Sequence, residues 1–263
     1  MSKDLRKTKE NNEVKICGER ACRAVYKQRK DDIIRVYLTE DRLVDVNDIL
    51  KWCASTRRAY HIVDEADMKK IAQTKHHDGI CFLTREEKKV DQNNLIRDLS
   101  SSLLVKSKSA CIALLDGVQN PHNLGAIVRT ASHFSVPAVI VAQSGEKDGV
   151  KLSTAAYRTA QGGTEDVEII GVKDLAASIV ELKKQGYKVY GTSDHKAKKN
   201  LFKTKLPEKT LFVFGSETAG ISNRLLDLCD EIIIIPHSGT VKSLNVSSAF
   251  AICIAEYWRQ IHD

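Results

Sequence analysis

Apolar and polar positions follow two rhythms along this chain, and the second half is the easier to read. Short apolar runs recur there at 111–118 (CIALLDGV), 137–142 (PAVIVA), 168–170, 188–192, 210–214 and 232–235. Such runs predict strands; 111–118 and 210–214 read as buried, and the β-branched run 232–235, closed by Pro236, as buried on both faces, as in a parallel sheet under helices. Between them apolar residues return every three to four positions, predicting helices at 127–134, 154–161, 172–185, 222–228 and 244–257. The last is the most regular: Val246, Ala249, Phe250, Cys253, Ile254 and Tyr257 recur at helical spacing, with Ser243 and Asn245 as candidate caps. QNPHNLGA at 119–126 reads as a turn.

In the first half the two periods alternate at closer spacing. Helices are expected at 19–29, 45–55 and 64–74, and strands at 33–38, 59–63 and 80–83, a pattern that fits a small sandwich of sheet and helices. Residues 1–13 are polar and charged and read as a frayed tail, and the charged, serine-rich stretch 85–109 reads as a linker. The expected domains are therefore 14–84 and 110–263. His76 and His77 before Gly79 read either as an RNA contact or as a turn with one ring hydrogen-bonded.

Composition adds three constraints. An apolar content of 42% with four prolines belongs to a globular chain. No run approaches the roughly 20 apolar residues of a membrane span, and the first residues lack the apolar core of a signal peptide, so a cytoplasmic protein without membrane contact is expected. Seven cysteines, scattered and without a CxxC, point to reduced, buried thiols and to no metal site. The net charge of +7 is uneven: residues 1–109 hold 24 Lys and Arg against 18 Asp and Glu, and the remainder 17 against 16. A basic surplus in the first part suits a phosphate backbone, because cations that displace counterions gain affinity without reading sequence. A surplus of this size also occurs on surfaces that bind nothing.

Chemistry is suggested where strands run into polar loops. Three strand ends carry small and polar residues: 120–125, with Asn120, His122, Asn123 and Gly125; 215–220, with Glu217; and 237–245, with Ser243 and Asn245. Ligands of α/β proteins bind at the carboxyl ends of strands, where loop and helix N–H groups are unpaired. Arg129 falls inside an apolar helix pattern and must either reach solvent or meet an acidic or phosphate partner. No GxGxxG, GxxxxGK[ST], GxSxG or HExxH occurs, which removes standard dinucleotide, P-loop, serine-hydrolase and zinc-protease readings.

NPHNLGAIVRTA at 120–131, FGSETAGIS at 214–222 and IPHSGTVKSLNVSSA at 235–249 resemble, in order and spacing, the three motifs of the SpoU/TrmH family of RNA ribose methyltransferases, within the SPOUT superfamily. YRTAQGGTE at 157–165 is similar to the bacterial YfiF-like subgroup, and the preceding 70 residues resemble the small ribosomal-protein-like substrate-binding domain often fused in front. The resemblance implies an α/β fold whose parallel sheet is threaded at its C-terminal part into a trefoil knot. It implies a pocket for S-adenosylmethionine there, and a homodimer that completes the site. It places cofactor contacts at Gly215, Ile235 and Leu244, with Thr192 a further contributor, and polar catalytic positions at Asn123, Arg129, Glu217, Ser243 and Asn245. Ser216 and the pair Thr218–Ala219 depart from the commoner residues of that loop.

The reaction so implied is methylation of a ribose 2′-hydroxyl in structured RNA, tRNA or rRNA. A hydroxyl is a poor nucleophile at neutral pH, so transfer needs alignment and help in losing the proton. A free guanidinium, with a pKa above about 12, is a poor base, which favours Arg129 as a phosphate ligand that lowers the hydroxyl's pKa while Asn123 and Glu217 hold it. The N-terminal unit is expected to grip folded RNA by shape and phosphates, since it carries no aromatic-rich single-strand platform. The competing readings are an RNA-binding or ribosome-assembly protein that keeps the fold without catalysis, and methylation at a base.

Overall fold

The computed structural model describes residues 13–86, 110–143, 152–194, 196, 199–241 and 243–263. The expected linker lies outside the described residues apart from 85 and 86, and the expected tail apart from Glu13. The chain divides into two compact units, Met1–Lys88 and Lys89–Asp263.

The first unit carries β1 (Glu13–Cys17), α1 (Glu19–Arg29), β2 (Ile33–Leu38), α2 (Asn47–Thr56), β3 (Ala59–Ile62), α3 (Glu65–Ala72) and β4 (Ile80–Arg85). Its four-stranded sheet has the order β1-β4-β2-β3, with β4 antiparallel to both neighbours and β3 parallel to β2. One face carries Ile16, Val36, Leu38 and Phe82, all buried, and α1 and α2 supply the buried Cys22, Val25, Ile49 and Trp52. Tyr26 of α1 meets Trp52 of α2 edge-on at 5.5 Å. On the other face α3 closes over Cys17, Cys81 and part of Tyr37 with Met68, Ala72 and Ile71. Asp64 caps α3 by accepting the N–H of Asp67. β1 is an addition to the sequence reading: EVKIC alternates polar and apolar residues beside the charged tail.

The second unit is built on a seven-stranded parallel sheet of order β7-β6-β5-β10-β8-β11-β9. Its strands are β5 (Ala110–Asp116), β6 (Ala138–Ala142), β7 (Glu168–Val172), β8 (Lys188–Thr192), β9 (Lys199–Asn200), β10 (Lys209–Gly215) and β11 (Glu231–Ile234). The helices are α4 (Pro121–His133), α5 (Thr154–Ala160), α6 (Leu175–Lys184), α7 (Asn223–Leu226) and α8 (Val246–His262). The centre of the sheet is buried on both faces: Cys111 to Leu115 and Thr210 to Phe214 are all buried. Ile112, Leu114, Leu211 and Val213 pack with Ile179 and Leu182 of α6. Phe214 meets Phe250 of α8 at 5.5 Å across the opposite face. Burying a side chain such as Phe250 contributes about 1.5–3 kcal/mol, which fixes α8 against β10. All seven cysteines are free, and six are buried.

Two sequence expectations change. Residues 121–126 are the first two turns of α4 rather than a turn, because Asn120 caps the helix by accepting the N–H of His122 at 2.9 Å, and Pro121 at the first helical position needs no N–H. β11 is not buried on both faces: only Ile233 is buried, since the strand lies next to the sheet edge, covered there by a two-residue strand.

That edge is held by charge. Glu231 Oε1 accepts from Lys188 Nζ at 2.7 Å and Lys199 Nζ at 2.9 Å, and the Lys188 bond, followed by that of Lys199, holds its carboxyl below the usual glutamate range. A carboxyl depressed in the folded state stabilises it above the unfolded value of about 4.3 and loses that contribution as pH falls through the folded value. Glu231→Gln should cost about 0.5–1 kcal/mol at pH 7, since both lysines are half exposed, and should leave stability less steep below pH 5. Urea denaturation from pH 7 to pH 3 checks this; parallel curves for the two proteins would refute it.

Candidate active site

The order in which strands are added reverses around the middle of the sheet: the chain leaves β5 toward β6 and β7 on one side, whereas β8, β9, β10 and β11 lie on the other. Loops that diverge in this way open a crevice at the carboxyl ends of the strands. Three segments far apart in sequence meet there.

Asn123 stands on the first turn of α4, Glu217 follows β10, and Asn245 caps α8. Glu217 Oε1 accepts from Asn123 Nδ2 at 2.5 Å and from Asn245 Nδ2 at 3.1 Å, and Asn245 Nδ2 also donates to Asn123 Oδ1 at 3.0 Å. The other end of the Asn245 amide is equally committed, because its Oδ1 accepts the N–H of Ser247 at 2.9 Å and the Ser247 hydroxyl at 2.6 Å. Capping thus fixes which way the amide points, oxygen to the helix and nitrogen to the carboxylate. Glu217 keeps its second oxygen without a hydrogen-bond partner among the described residues.

The loop bearing Glu217 is held by its backbone. Gly220 N–H donates to Ser216 O at 2.8 Å, Ala219 N–H donates to Ser216 Oγ at 3.2 Å, and Ser222 N–H donates to Asp116 Oδ2 at 2.8 Å. At Gly215 the loop doubles back so closely that a Cβ would lie 2.0 Å from Gly220 C and 2.2 Å from Ile221 N. A second close approach, at Gly125, lets α4 settle on α5, where a Cβ would stand 2.6 Å from Thr159 Cβ. Asp116 escaped the sequence reading; its only signal is a carboxylate closing an otherwise apolar run.

Gly215, Thr192 and Ile235 lie at the carboxyl ends of the adjacent strands β10, β8 and β11. The Thr192 hydroxyl donates to Val213 O at 3.0 Å, and Ile235 is half-buried. In the segment between β11 and α8, Leu244 is 48% and Val241 75% exposed, an apolar surface left uncovered. Ser243 is exposed and makes no hydrogen bond to a described residue. Arg129 is not brought to the cluster. Six residues beyond Asn123 on one helix, it lies about 9 Å along the axis and about 120° around it, exposed and without an ion pair among the described residues.

In the first unit, His77 is buried and its Nδ1 accepts the N–H of Gly79 at 3.1 Å, which is the hydrogen-bonded-turn reading of the histidine pair. It lines a cleft of about 580 Å³ together with Glu19, Asp41, Glu65 and Asp78. Four carboxylates against Arg42 and Lys75, which also line it, leave the cleft net acidic and a poor phosphate site. Among the described residues no three His, Cys, Asp or Glu form a metal-ligating group, and no helix is long and apolar enough to cross a membrane.

Residues 110–255 match the model of the SpoU rRNA methylase family. The chain belongs to this family. Residues 15–90 match a second model, that of RNA 2′-O ribose methyltransferase substrate binding. Among SpoU relatives, an uncharacterized tRNA/rRNA methyltransferase YfiF from Escherichia coli is 34% identical over 249 residues, covering 94% of this chain and 68% of its own length. The 23S rRNA (guanosine-2′-O-)-methyltransferase RlmB of Nitrosomonas europaea is 31% identical over 248 residues, covering 93% of this chain and 91% of its own. A crystal structure of an RNA 2′-O ribose methyltransferase shares the SpoU fold, with a TM-score of 0.77 at 22% identity over 95% of this chain and 90% of that one.

Proposed function

We propose that this SpoU-family protein transfers a methyl group from S-adenosylmethionine to a ribose 2′-hydroxyl in structured RNA, tRNA or rRNA. The observation that carries the reading is the Asn123–Glu217–Asn245 cluster, three polar side chains from three loops locked together at the carboxyl edge of a parallel sheet.

The residues present fit the cofactor. Gly215 leaves the end of β10 lined by backbone, Thr192 and Ile235 flank it, and Leu244 offers exposed apolar surface on which an adenine can rest. When bound, S-adenosylmethionine supplies the methyl group on an electrophilic sulfonium. Everything else falls to the protein. Glu217, its acceptor oxygen fixed by two amides, presents the free oxygen to a sugar hydroxyl, and Asn123 holds that carboxylate in place. Ser243 orients ribose and cofactor, and Asn245, its amide committed at both ends, acts by positioning Glu217 and Asn123. Arg129, exposed and without an ion pair among the described residues, binds an RNA phosphate and favours loss of the hydroxyl proton through its charge.

A trefoil knot and a homodimer belong to the same proposal. Supporting the knot, β10 lies between β5 and β8 although the chain visits β8 first. Supporting the dimer, Arg129 stands away from its own cluster, and His133, Phe134, the 43%-exposed Trp258 and His262 form an aromatic strip on α4 and α8.

The test is transfer of labelled methyl groups to RNA, followed by mapping of nuclease-resistant linkages. Arg129→Ala should abolish transfer while calorimetry shows cofactor binding nearly intact; unchanged turnover would remove Arg129 from the mechanism. If a partner subunit supplies the arginine, mixing Arg129→Ala with Asn245→Ala chains should restore about a quarter of wild-type activity, because half of the dimers are mixed and each mixed dimer holds one complete site. No restoration would refute the shared site. A chain that binds RNA but neither cofactor nor methyl label would favour the non-catalytic reading.

A further inference from the structure

We infer that the half-open face of the N-terminal sheet is a stacking platform for an unpaired RNA base, built from Tyr37 and His61 and flanked by Lys15 and Arg35. The inference rests on the RNA substrate proposed above and assigns where the first unit meets it.

Strand alternation sets the face. In register across β1, β4, β2 and β3, one row reads Lys15, Leu83, Arg35, Ala59 and the next Cys17, Cys81, Tyr37, His61. α3 covers the Cys17–Cys81 end of the second row, burying both cysteines and part of Tyr37. The first row has no such cover: Arg35 and Ala59 are exposed, and Lys15 and Leu83 are half-buried. At the border the Tyr37 and His61 rings stack, with centroids 5.6 Å apart and planes 22° from parallel. His61 is on the edge strand, so one side of its ring meets Tyr37 and the other looks past the last strand of the sheet. Arg35 Nη1 donates to Tyr37 Oη at 3.3 Å, placing its guanidinium beside the stack.

Charge and shape then select the occupant. Lys15 and Arg35 have no ion-pair partner among the described residues, and they sit two strands apart, about 10 Å. Among the described residues of the four strands, the acid on this face is Glu13, at the far end of β1 opposite Arg85. A flat π surface beside two unpaired cations is the composition that holds single-stranded nucleic acid: a base extends the ring stack while phosphates lie on the cations. A duplex cannot use it, because its bases are already stacked. The unpaired base therefore comes from a loop, bulge or end of a folded RNA, where bases are free to splay out. Tyr37 and His61 are 24 residues apart and in no aromatic run, which hides the pair in the sequence.

The test uses the full chain, a fluorescein-labelled adenosine 12-mer of RNA, and the same RNA annealed to its complement. The single strand should bind more tightly than the duplex. His61→Ala, at an exposed position, should weaken the single strand about ten-fold, within the range of lost base–aromatic stacking, and leave the duplex unchanged. His61→Phe should restore binding, because it keeps the ring and drops the polar nitrogens. Arg35→Ala should weaken binding and reduce the slope of log affinity against log salt by about 0.7, whereas His61→Ala leaves that slope alone. Wild-type affinity in His61→Ala, failure of His61→Phe to rescue, or equal binding of single strand and duplex would each overturn the platform. Cofactor calorimetry on the same proteins keeps the two ideas apart: wild-type protein that binds the oligonucleotide but not S-adenosylmethionine leaves the platform standing and removes the methyltransferase reading.

Discussion

Glu217→Ala should lower the rate of methyl transfer about a hundred-fold or more while changing stability by no more than about 1 kcal/mol. Both halves follow from the geometry. One oxygen of Glu217 accepts from Asn123 and Asn245, so it ties the start of α4, the loop after β10 and the cap of α8 to a single point. Losing that point frees three loops to drift, and a misplacement of about 1 Å in a reacting pair costs about 10²-fold in rate. Stability changes little because the cluster is solvent-exposed and water replaces the lost acceptor. Glu217→Gln separates alignment from charge: its carbonyl can still accept both amides, so activity that survives in Gln but not in Ala assigns the residue to alignment, and loss in both assigns it to charge. Single-turnover rates and thermal melts on the same samples give both numbers. Full activity in Glu217→Ala would mean that the cluster is a structural clasp away from the chemistry.

Gly215→Ala should abolish S-adenosylmethionine binding and cost about 1–3 kcal/mol of stability, the usual range for overpacking. The added methyl would need space already held by Gly220 C at 2.0 Å, Ile221 N at 2.2 Å and Gly220 O at 2.3 Å. All three are backbone atoms, so no rotamer change can relieve the clash and the tight loop itself must open. Opening it breaks the short bridge between Ser216 and Gly220 and pulls Glu217 away from Asn123. Calorimetric titration and urea denaturation check the two effects, and far-ultraviolet dichroism should stay near wild type because β10 remains packed in the centre of the sheet. Undiminished cofactor affinity would show that the tight loop at Gly215 does not form the binding wall.

Much of this architecture is legible in the sequence, and the gaps have physical causes. Fully buried strands betray themselves by runs with no polar interruption, so 111–115 and 211–214 are plain, and α8 announces itself by Val246, Phe250, Cys253, Ile254 and Tyr257 on one face. β1 is hidden because Glu13 and Lys15 look like more of the charged tail. The start of α4 misleads because Asn-Pro is as good a turn as it is a cap followed by a first helical residue; only the geometry at Asn120 separates them. Strand order is the deepest gap. Nothing local in 209–215 says that it lies between β5 and β8, since parallel neighbours are chosen by packing over the whole sheet rather than by a turn. For the same reason no spacing rule brings Asn123, Glu217 and Asn245 together, separated as they are by 94 and 28 residues. Arg129 is the reverse case: prominent in the sequence, it stands apart from that cluster.

Asn245 has one further consequence. A single carboxamide starts the terminal helix with its oxygen and gathers Asn123 and Glu217 with its nitrogen. Unwinding of one helical turn and disarray of the proposed reaction centre are therefore the same microscopic event. On warming, catalysis should fade several degrees before the sheet beneath it melts, and the enzyme should regain full speed on cooling because nothing else has come apart.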